Sequence, residues 1–214
     1  MLRKLFERMY QTLGPQNWWP GDTPLEICIG AILTQNTNWQ NVEKAIKNLK
    51  KENLLSIEKL YHLPEDILAI LIQPAGYFRV KAKRIKNFIN FLMQEYDGNL
   101  NNLFSEGLEK ARERLLSVSG IGPETADSIL LYAGGLPTFV IDAYTKRILI
   151  RHGLAVEEMN YEDLREMFMR ELPPDPQLYN EYHALFVEVG KRFCRPQKPL
   201  CKKCPLEGLS YGEL

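Results

Sequence analysis

Hydrophobic residues recur along most of this chain at the spacing of amphipathic helices, and no segment alternates polar and apolar residues as a half-exposed strand would. The apolar residues that fall on one side of an N-terminal helix are Leu2, Leu5, Phe6, Met9 and Leu13. Residues 25–33 form an almost continuous apolar run, which predicts a buried helix. Prolines and glycines divide residues 41–95 into several shorter helices. The pattern therefore predicts an all-α protein.

Two predicted helices meet at a short glycine-containing connection past the middle of the chain. Residues 111–118 can form the first helix, and Ser-Gly-Ile-Gly at 119–122 is a tight connection, because glycine adopts positive φ freely. Pro123 opens the second helix at its first position, where the missing N–H costs nothing. The residues predicted to form one buried face of this helix are Ala126, Ile129, Leu130 and Ala133. Gly134 is its predicted end.

This connection leaves the backbone N–H groups of Gly120, Ile121 and Gly122 at a surface, beside the start of a helix. The partial positive charge at a helix N-terminus favours an anion there. A plain αα-hairpin turn that binds nothing explains the glycines equally well. The glycines alone therefore leave an anion site and a structural turn open.

Composition narrows the classes to which the protein can belong. With 214 residues, 45% of them hydrophobic, the chain can build one large or two small domains. Lys and Arg total 27, as do Asp and Glu, so local patches rather than net charge must support any nucleic-acid binding. No apolar run approaches a membrane span, and charges interrupt the N-terminal apolar residues too soon for a signal peptide. We expect a cytoplasmic monomer whose four cysteines form no structural disulfides.

The hairpin is followed by a Gly/Pro-rich loop, Gly-Gly-Leu-Pro at 134–137, and then by Phe-Val-Ile-Asp at 139–142 before another helix. This order resembles the endonuclease III superfamily of helix-hairpin-helix DNA glycosylases. The resemblance implies two helical domains, residues 21–135 with the hairpin and residues 1–20 with 136–214, and an active site in the cleft between them. It also implies that the partner is double-stranded DNA with a damaged base, and that the anion at the hairpin is a DNA phosphate.

The resemblance assigns roles to three polar residues. Asp142 falls on the catalytic carboxylate, which stabilises the positive charge that develops on the sugar, and an aspartate at this point is also a natural helix N-cap. Gln35 falls on the glutamine that fills the gap left by the extruded nucleotide, with a local capping network of its polar neighbours as the alternative. Lys146, one turn beyond Asp142, is a predicted DNA contact.

The position of one glutamate bears on the type of reaction. Bifunctional members of the resembling family carry a lysine in the second hairpin helix, and this lysine attacks the sugar C1′ to form a Schiff base. Here Glu124 occupies that position, and a carboxylate cannot form an imine. We therefore expect a monofunctional glycosylase that uses water, with Lys146 as the candidate if another lysine acts as the nucleophile.

Aromatic residues indicate the substrate. Trp-Trp-Pro at 18–20, Leu-Thr-Gln-Asn-Thr at 33–37 and Gly-Ile-Gly-Pro-Glu-Thr-Ala-Asp at 120–127 are similar to motifs of bacterial 3-methyladenine DNA glycosylases. That subgroup stacks the flipped base on aromatic rings, which implies a pocket built from Trp18, Trp19, Pro20 and Trp39. An N3-alkylated adenine is cationic and is attracted to indole faces, whereas packing of the tryptophans into the core is the structural alternative. The alternative functions are a glycosylase for oxidised or mismatched pyrimidines and a non-catalytic helix-hairpin-helix DNA-binding protein.

Near the C-terminus, Cys194, Cys201 and Cys204 follow the spacing C-x6-C-x2-C. The resembling family adds a fourth cysteine and binds a [4Fe–4S] cluster, but here Ser210 stands at the fourth position. A cluster with three cysteine ligands, a zinc ion with His183 as a distant candidate ligand, and a site that has lost its metal all remain open.

One further segment, residues 77–86, carries five basic residues. The apolar positions of the helix that it begins are Ile85, Phe88, Ile89 and Leu92. A solvated helix face is the usual outcome for such a run, although the segment also matches one that recurs before the hairpin in the resembling family.

Overall fold

The computed structural model describes residues 1–18 and 21–209, and this part of the chain contains helices and no β-strand, which confirms the all-α prediction. The α-helices are α1 (Leu2–Leu13), α2 (Pro24–Leu33), α3 (Trp39–Lys51), α4 (Ile57–His62), α5 (Glu65–Leu71), α6 (Phe78–Tyr96), α7 (Leu100–Phe104), α8 (Leu108–Leu116), α9 (Pro123–Ser128), α10 (Ala143–Arg151), α11 (Tyr161–Glu171) and α12 (Pro176–Arg192). Within the same residues, no helix combines the length and the hydrophobicity that crossing a membrane requires.

The chain divides into two compact units. The terminal unit comprises Met1–Trp18 and Pro137–Leu214, and the insert unit comprises Trp19–Leu136. Both ends of the chain belong to one unit because α1 packs against α12.

Aromatic side chains dominate the core of the terminal unit. The N-terminal helix is amphipathic, as predicted, and buries Leu2, Leu5 and Met9. Phe139 stacks on Phe168 with a centroid distance of 3.8 Å and an interplanar angle of 9°. The buried Tyr182 hydroxyl donates a hydrogen bond to the Leu2 carbonyl at 2.6 Å, so a satisfied polar group connects α12 to the start of α1.

The insert unit is built around α2. This helix is buried almost throughout, which confirms the prediction from its continuous apolar run. The long helix α6 packs against α2 and buries its predicted apolar face completely. The residues of that face are Ile85, Phe88, Ile89 and Leu92.

The basic segment at the start of α6 is not simply a solvated face, and that expectation is wrong for two of its lysines. The Lys81 ammonium is buried and donates to the carbonyls of Leu33 and Ala75, both at 2.8 Å. Lys86 donates to three carbonyls at the end of α4, those of Leu60, Tyr61 and Leu63. Burial lowers the pKa of both lysines. They satisfy the orphan carbonyls that helix and turn ends leave, and this pairing depends on tertiary contacts that a sequence pattern does not contain.

The hairpin differs from the prediction in its details. Its first helix, α8, ends at Leu116 rather than at residue 118, because Val118 N–H donates to Leu115 O and begins the turn. The second helix starts at Pro123 as predicted and becomes a π-helix over Ile129–Ala133, where Gly134 N–H donates to Ile129 O at 3.1 Å. Within this π-helix Leu131 and Tyr132 are buried as well as Ile129 and Leu130, whereas Ala133 is only partly buried, so the single predicted apolar face was too narrow.

A buried ion pair holds the two hairpin helices together. Arg112 of α8 donates from Nε to Asp127 Oδ1 at 2.9 Å and from Nη2 to Oδ2 at 3.1 Å. The Asp127 side chain is fully buried. Such a bidentate pair fixes the geometry of the hairpin. Removing one partner of a buried pair destabilises a fold strongly, because it leaves a buried charge without compensation.

We therefore predict that Asp127→Asn, which removes the carboxylate charge from this pair, lowers the free energy of unfolding by about 3–5 kcal/mol. Replacing both partners by apolar residues, Arg112→Met with Asp127→Leu, should recover much of this loss. The exposed Arg3–Glu7 pair is the control, and Glu7→Gln should change little. Urea denaturation provides the measurement. An Asp127→Asn variant as stable as the parent would contradict the stabilising role of the Arg112–Asp127 pair.

Candidate functional site

Asp142 stands at the start of α10, directly after a buried extended segment. The residues of that segment are Phe139, Val140 and Ile141. Asp142 has extended backbone geometry, and its Oδ1 accepts a hydrogen bond from the Thr145 N–H at 2.7 Å. The predicted N-cap role is thus confirmed. The cap fixes one carboxylate oxygen and leaves the other to make a second interaction.

That second interaction is with His183 of α12, whose Nε2 lies 3.5 Å from Asp142 Oδ2. Close packing of α10 against α12 brings the two residues together. Gly190, about two turns after His183 on the same helix face, makes this approach possible. A Cβ at Gly190 would clash with the ring of Tyr144, which lies two residues after Asp142.

The Asp142 carboxyl is 13% exposed, and its surroundings act on its charge in opposite directions. Burial raises its pKa, because desolvation disfavours the carboxylate. The neighbouring His183 and the hydrogen bond from the Thr145 N–H lower it, and together they leave the pKa below its usual range. Asp142 is therefore a largely buried residue that remains a carboxylate around neutral pH.

An aromatic ring completes this cluster. The Trp18 ring lies 5.7 Å from the His183 ring, centroid to centroid, at an interplanar angle of 30°. Its backbone carbonyl accepts a hydrogen bond from the Asn180 side chain at 3.4 Å. Trp18, His183 and Asp142 thus form one cluster in the terminal unit, whereas the predicted pocket residues Trp19 and Pro20 lie outside the described residues.

Trp39, the remaining predicted pocket residue, belongs to the insert unit. It is the first residue of α3 and packs partly buried against the core. A Cβ at Gly30 of α2 would lie 3.5 Å from the edge of the indole, so the ring rests on this glycine. The indole N–H donates to Glu43 Oε1 at 3.1 Å.

Gln35 makes contacts that the sequence did not indicate. Its Nε2 donates to Thr125 Oγ1 at 2.7 Å and to Gly120 O at 3.3 Å, and its Oε1 accepts a hydrogen bond from Arg84. The local capping network exists beside it, since the Asn38 side chain caps α3. Gln35 itself joins the loop after α2 to the hairpin.

Glycine is present at the two hairpin positions for different structural reasons. Gly120 has φ of +97°, and a Cβ there would clash with the Arg84 side chain, so both backbone and space require glycine. Gly122 has ordinary extended geometry with φ of −97°, and a Cβ there would meet no atom within 4 Å. Glycine at 122 therefore leaves an open approach to the backbone, while the buried Ile121 side chain anchors the turn.

The two charged residues that bear on the type of reaction have distinct environments. Glu124 lies exposed in α9. Lys146 donates from Nζ to the carbonyls of Glu157 and Met159, both at 2.9 Å. Lys146 thus stabilises the loop after α10, an engagement that its predicted role as a DNA contact did not include.

The three cysteines of the C-terminal segment were tested against the needs of a cluster. Cys194 is buried, Cys201 is exposed and Cys204 is half-buried, and burial raises the pKa of the Cys204 thiol. Within residues 1–18 and 21–209, no three His, Cys, Asp or Glu side chains converge to hold a metal ion. The described residues thus do not assemble the ligand set of a [4Fe–4S] cluster, and the fourth position, Ser210, lies outside them.

Sequence reasoning missed the contacts of two residues. His183 was a distant zinc candidate, but its ring lies against Asp142. Arg84 was one of five basic residues, but it packs over Gly120 and binds Gln35. A signal for His183 was available, because a histidine within the apolar stretch of α12 must be buried and therefore needs a partner.

Comparisons with known proteins identify the family to which the chain belongs. The sequence model of a family described as HhH-GPD superfamily base excision DNA repair protein matches residues 29–174. A Methanocaldococcus jannaschii protein, whose name assigns it provisionally to the DNA repair glycosylases, is 47% identical over 97% of this chain and 94% of its own length. Endonuclease III of Thermotoga maritima is 32% identical over 86% of this chain and 81% of its own.

Solved structures share the fold. The H. pylori 3-methyladenine DNA glycosylase bound to 1,N6-ethenoadenine superposes with a TM-score of 0.77 at 26% identity, covering 89% of this chain and 97% of that one. An endonuclease III–DNA complex superposes with a TM-score of 0.83 at 22% identity, covering 98% and 94%. The class is therefore that of the helix-hairpin-helix DNA glycosylases, which confirms the resemblance seen in the sequence. This chain belongs to the HhH-GPD superfamily of base excision DNA repair proteins.

Proposed function

We propose that this protein is a monofunctional DNA glycosylase that removes an alkylated base of the 3-methyladenine type from duplex DNA by hydrolysis. The observation that carries the proposal is the buried Asp142 carboxylate, whose Oδ1 is fixed by the Thr145 N–H and whose pKa is lowered despite burial. Cleavage of the N-glycosidic bond develops positive charge on the sugar. A fixed, charged carboxylate stabilises that charge and can orient the attacking water.

The proposal contains no Schiff-base step because of two side chains, one in α9 and one in α10. The second helix of the hairpin, α9, carries the exposed carboxylate of Glu124 where bifunctional relatives of the resembling family carry a lysine. The Lys146 ammonium is held by two backbone carbonyls, and a nucleophilic amine must first lose a proton and leave such partners. Both observations favour water as the nucleophile.

The proposed substrate rests on Trp18. An indole face attracts a cationic base, and such a contact contributes up to about 2 kcal/mol when water is excluded. Trp18 lies in the same cluster as the carboxylate, through His183. An alkylated base is also a good leaving group, which suits a site in which one carboxylate acts. The H. pylori relative, bound to 1,N6-ethenoadenine, gives independent support for a modified purine.

The proposed DNA contacts lie in the insert unit. The hairpin Gly120–Gly122 is the proposed phosphate site, with the N–H groups of Gly120 and Gly122 as donors, because the Ile121 N–H already donates to the Val118 carbonyl at 3.0 Å. The open space at Gly122 supports close approach of the strand. Gln35, anchored at the hairpin, is the proposed residue that fills the gap left by the flipped nucleotide. The [4Fe–4S] cluster stays a prediction of the cysteine spacing, and the proposed chemistry does not depend on it.

Asp142→Asn tests the proposed reaction. The amide preserves size and capping capacity but removes the charge, so we expect base release from methylated duplex to fall by at least about a hundredfold, since about 1.4 kcal/mol changes a rate tenfold. The parent should leave intact abasic sites, and borohydride should trap no covalent complex. Asp175→Asn, the same change at the N-cap of α12, is the matched control and should retain activity. A trapped adduct in the parent would overturn the monofunctional proposal.

Gly122→Ala tests the hairpin. The added methyl group meets no protein atom, so the variant should remain folded with an unchanged melting temperature. It should nevertheless weaken binding to damaged and undamaged duplexes by the same factor and reduce the salt dependence, because phosphate contacts carry no sequence information. Fluorescence anisotropy at several salt concentrations measures both effects. Normal binding by a folded variant would leave the hairpin with a structural role alone.

Trp18→Ala tests the base pocket, with Trp18→Phe as the matched variant that keeps an aromatic face. We expect Trp18→Ala to lose excision of methylated purines at least about tenfold more than it loses duplex affinity, and Trp18→Phe to retain most activity. A panel of methylated, oxidised and mismatched duplexes provides the measurement. Release of an oxidised pyrimidine rather than a methylated purine by the parent would favour the alternative substrate.

A further inference from the structure

His183 is a buried titratable group that the reaction proposed above leaves without a role. Its side chain is 6% exposed, its Nε2 lies 3.5 Å from Asp142 Oδ2, and the Trp18 ring lies beside its own. The residue sits in the middle of α12, whose close contact with α10 is fixed by Gly190 and Tyr144. Its position relative to the carboxylate is therefore set by packed helices rather than by a mobile loop.

A carboxylate in this position needs more than a helix N-terminus. Desolvation favours the neutral acid, and a protonated carboxyl group cannot stabilise a developing cation. The Thr145 N–H holds Oδ1, but Oδ2 is on the side of His183. His183 is the neighbour on that side, and it is among the causes that lower the Asp142 pKa.

We infer that His183 is a positioning residue for Asp142, because its ring holds Oδ2 in place while the N-terminus of α10 holds Oδ1. This inference rests on the proposed function for its catalytic consequence, although the pair itself can be tested without any reaction. The direction of the Asp142 pKa, which is lowered with His183 among its causes, agrees with it.

Other titratable groups on the packed elements have their own interactions. On α10, Lys146 donates to loop carbonyls and Arg147 donates to the carbonyls of Gly190 and Cys194. On α12, Glu181 accepts from the Gln16 N–H at 2.6 Å, and the Tyr182 hydroxyl donates to Leu2 O. The Tyr161 hydroxyl of α11 lies 3.5 Å from the Ile141 nitrogen, and Tyr144 packs against Gly190.

Two substitutions separate charge from shape. His183→Gln keeps a polar side chain of similar reach that cannot be charged, and His183→Leu removes the polar contact as well. If the leucine variant fails to fold, the glutamine variant carries the test. His152→Gln is the matched control, because this histidine lies at the end of α10 with its Nδ1 2.6 Å from the Leu209 carbonyl oxygen.

The first measurement is a double-mutant cycle of stability with the parent, Asp142→Asn, His183→Gln and the double variant, followed by urea unfolding. If the charges interact, the two single shifts of the midpoint will not add. The non-additivity should be present near neutral pH, where Asp142 is ionised, and should decline in the acid range as falling pH protonates that carboxyl group. Additive shifts at every pH, or non-additivity that persists unchanged at acid pH, would overturn the inference.

The second measurement is the pH profile of single-turnover base release from methylated duplex. In the parent, the acid limb due to Asp142 should lie low, because its pKa is lowered. Without His183 the Asp142 pKa rises, so the acid limb of His183→Gln should move to higher pH, with at least about a tenfold loss of rate at the acid end. The His152→Gln profile should match the parent.

The two measurements distinguish the inference from the function on which it rests. A non-additive double-mutant cycle in a parent that releases no base would contradict the proposed glycosylase and leave the contact between Asp142 and His183 intact. A non-additive cycle together with an acid limb of His183→Gln that matches the parent would show that His183 contributes to stability alone, and the positioning role would be wrong.

Discussion

Burial of the Asp142 carboxylate is the constraint on which the terminal unit depends. Removing a charge from water costs several kcal/mol unless hydrogen bonds and an opposite charge replace the lost hydration. The Thr145 N–H and His183 provide that replacement from two different helices. Both helices must therefore keep their register, and the contact between Gly190 and Tyr144 holds them at the required separation.

The insert unit meets a related demand with different groups. Its interior contains a fully buried Asp127 paired with Arg112, and lysines whose ammonium groups satisfy the carbonyl ends of helices and turns. The Arg112–Asp127 pair joins the two helices of the hairpin, and the lysines stabilise the ends of other helices and turns. Lys81 reaches the last residue of α2, two residues before Gln35, and Gln35 in turn reaches the hairpin. Polar groups in this core thus set the geometry of the loop and turn proposed to contact DNA.

Local chemistry made much of the fold predictable. The helices α1 and α2 and the start of α9 follow from apolar spacing and from Pro123, which act within a few residues. The N-cap role of Asp142 also needs only its own turn. The contact of Lys81 with Leu33 and the contact between Asp142 and His183 join residues that are far apart in the sequence, so no local pattern contains them. The Gln35 network is a similar case, since its partners lie 49 to 90 residues away.

A carboxylate that caps a helix must be charged and held in place. A carboxylate that stabilises a transition state must meet the same two conditions before the reaction begins. A preorganised charge costs no reorganisation when positive charge develops on the sugar, whereas a flexible one must first be oriented. Asp142 is fixed in this way at Oδ1, and a residue held so firmly is poorly suited to move with a proton. It suits a substrate whose base leaves with little acid assistance. An alkylated purine already carries the positive charge that a general acid would otherwise supply, so the rigidity of Asp142 and the proposed substrate follow from one physical requirement.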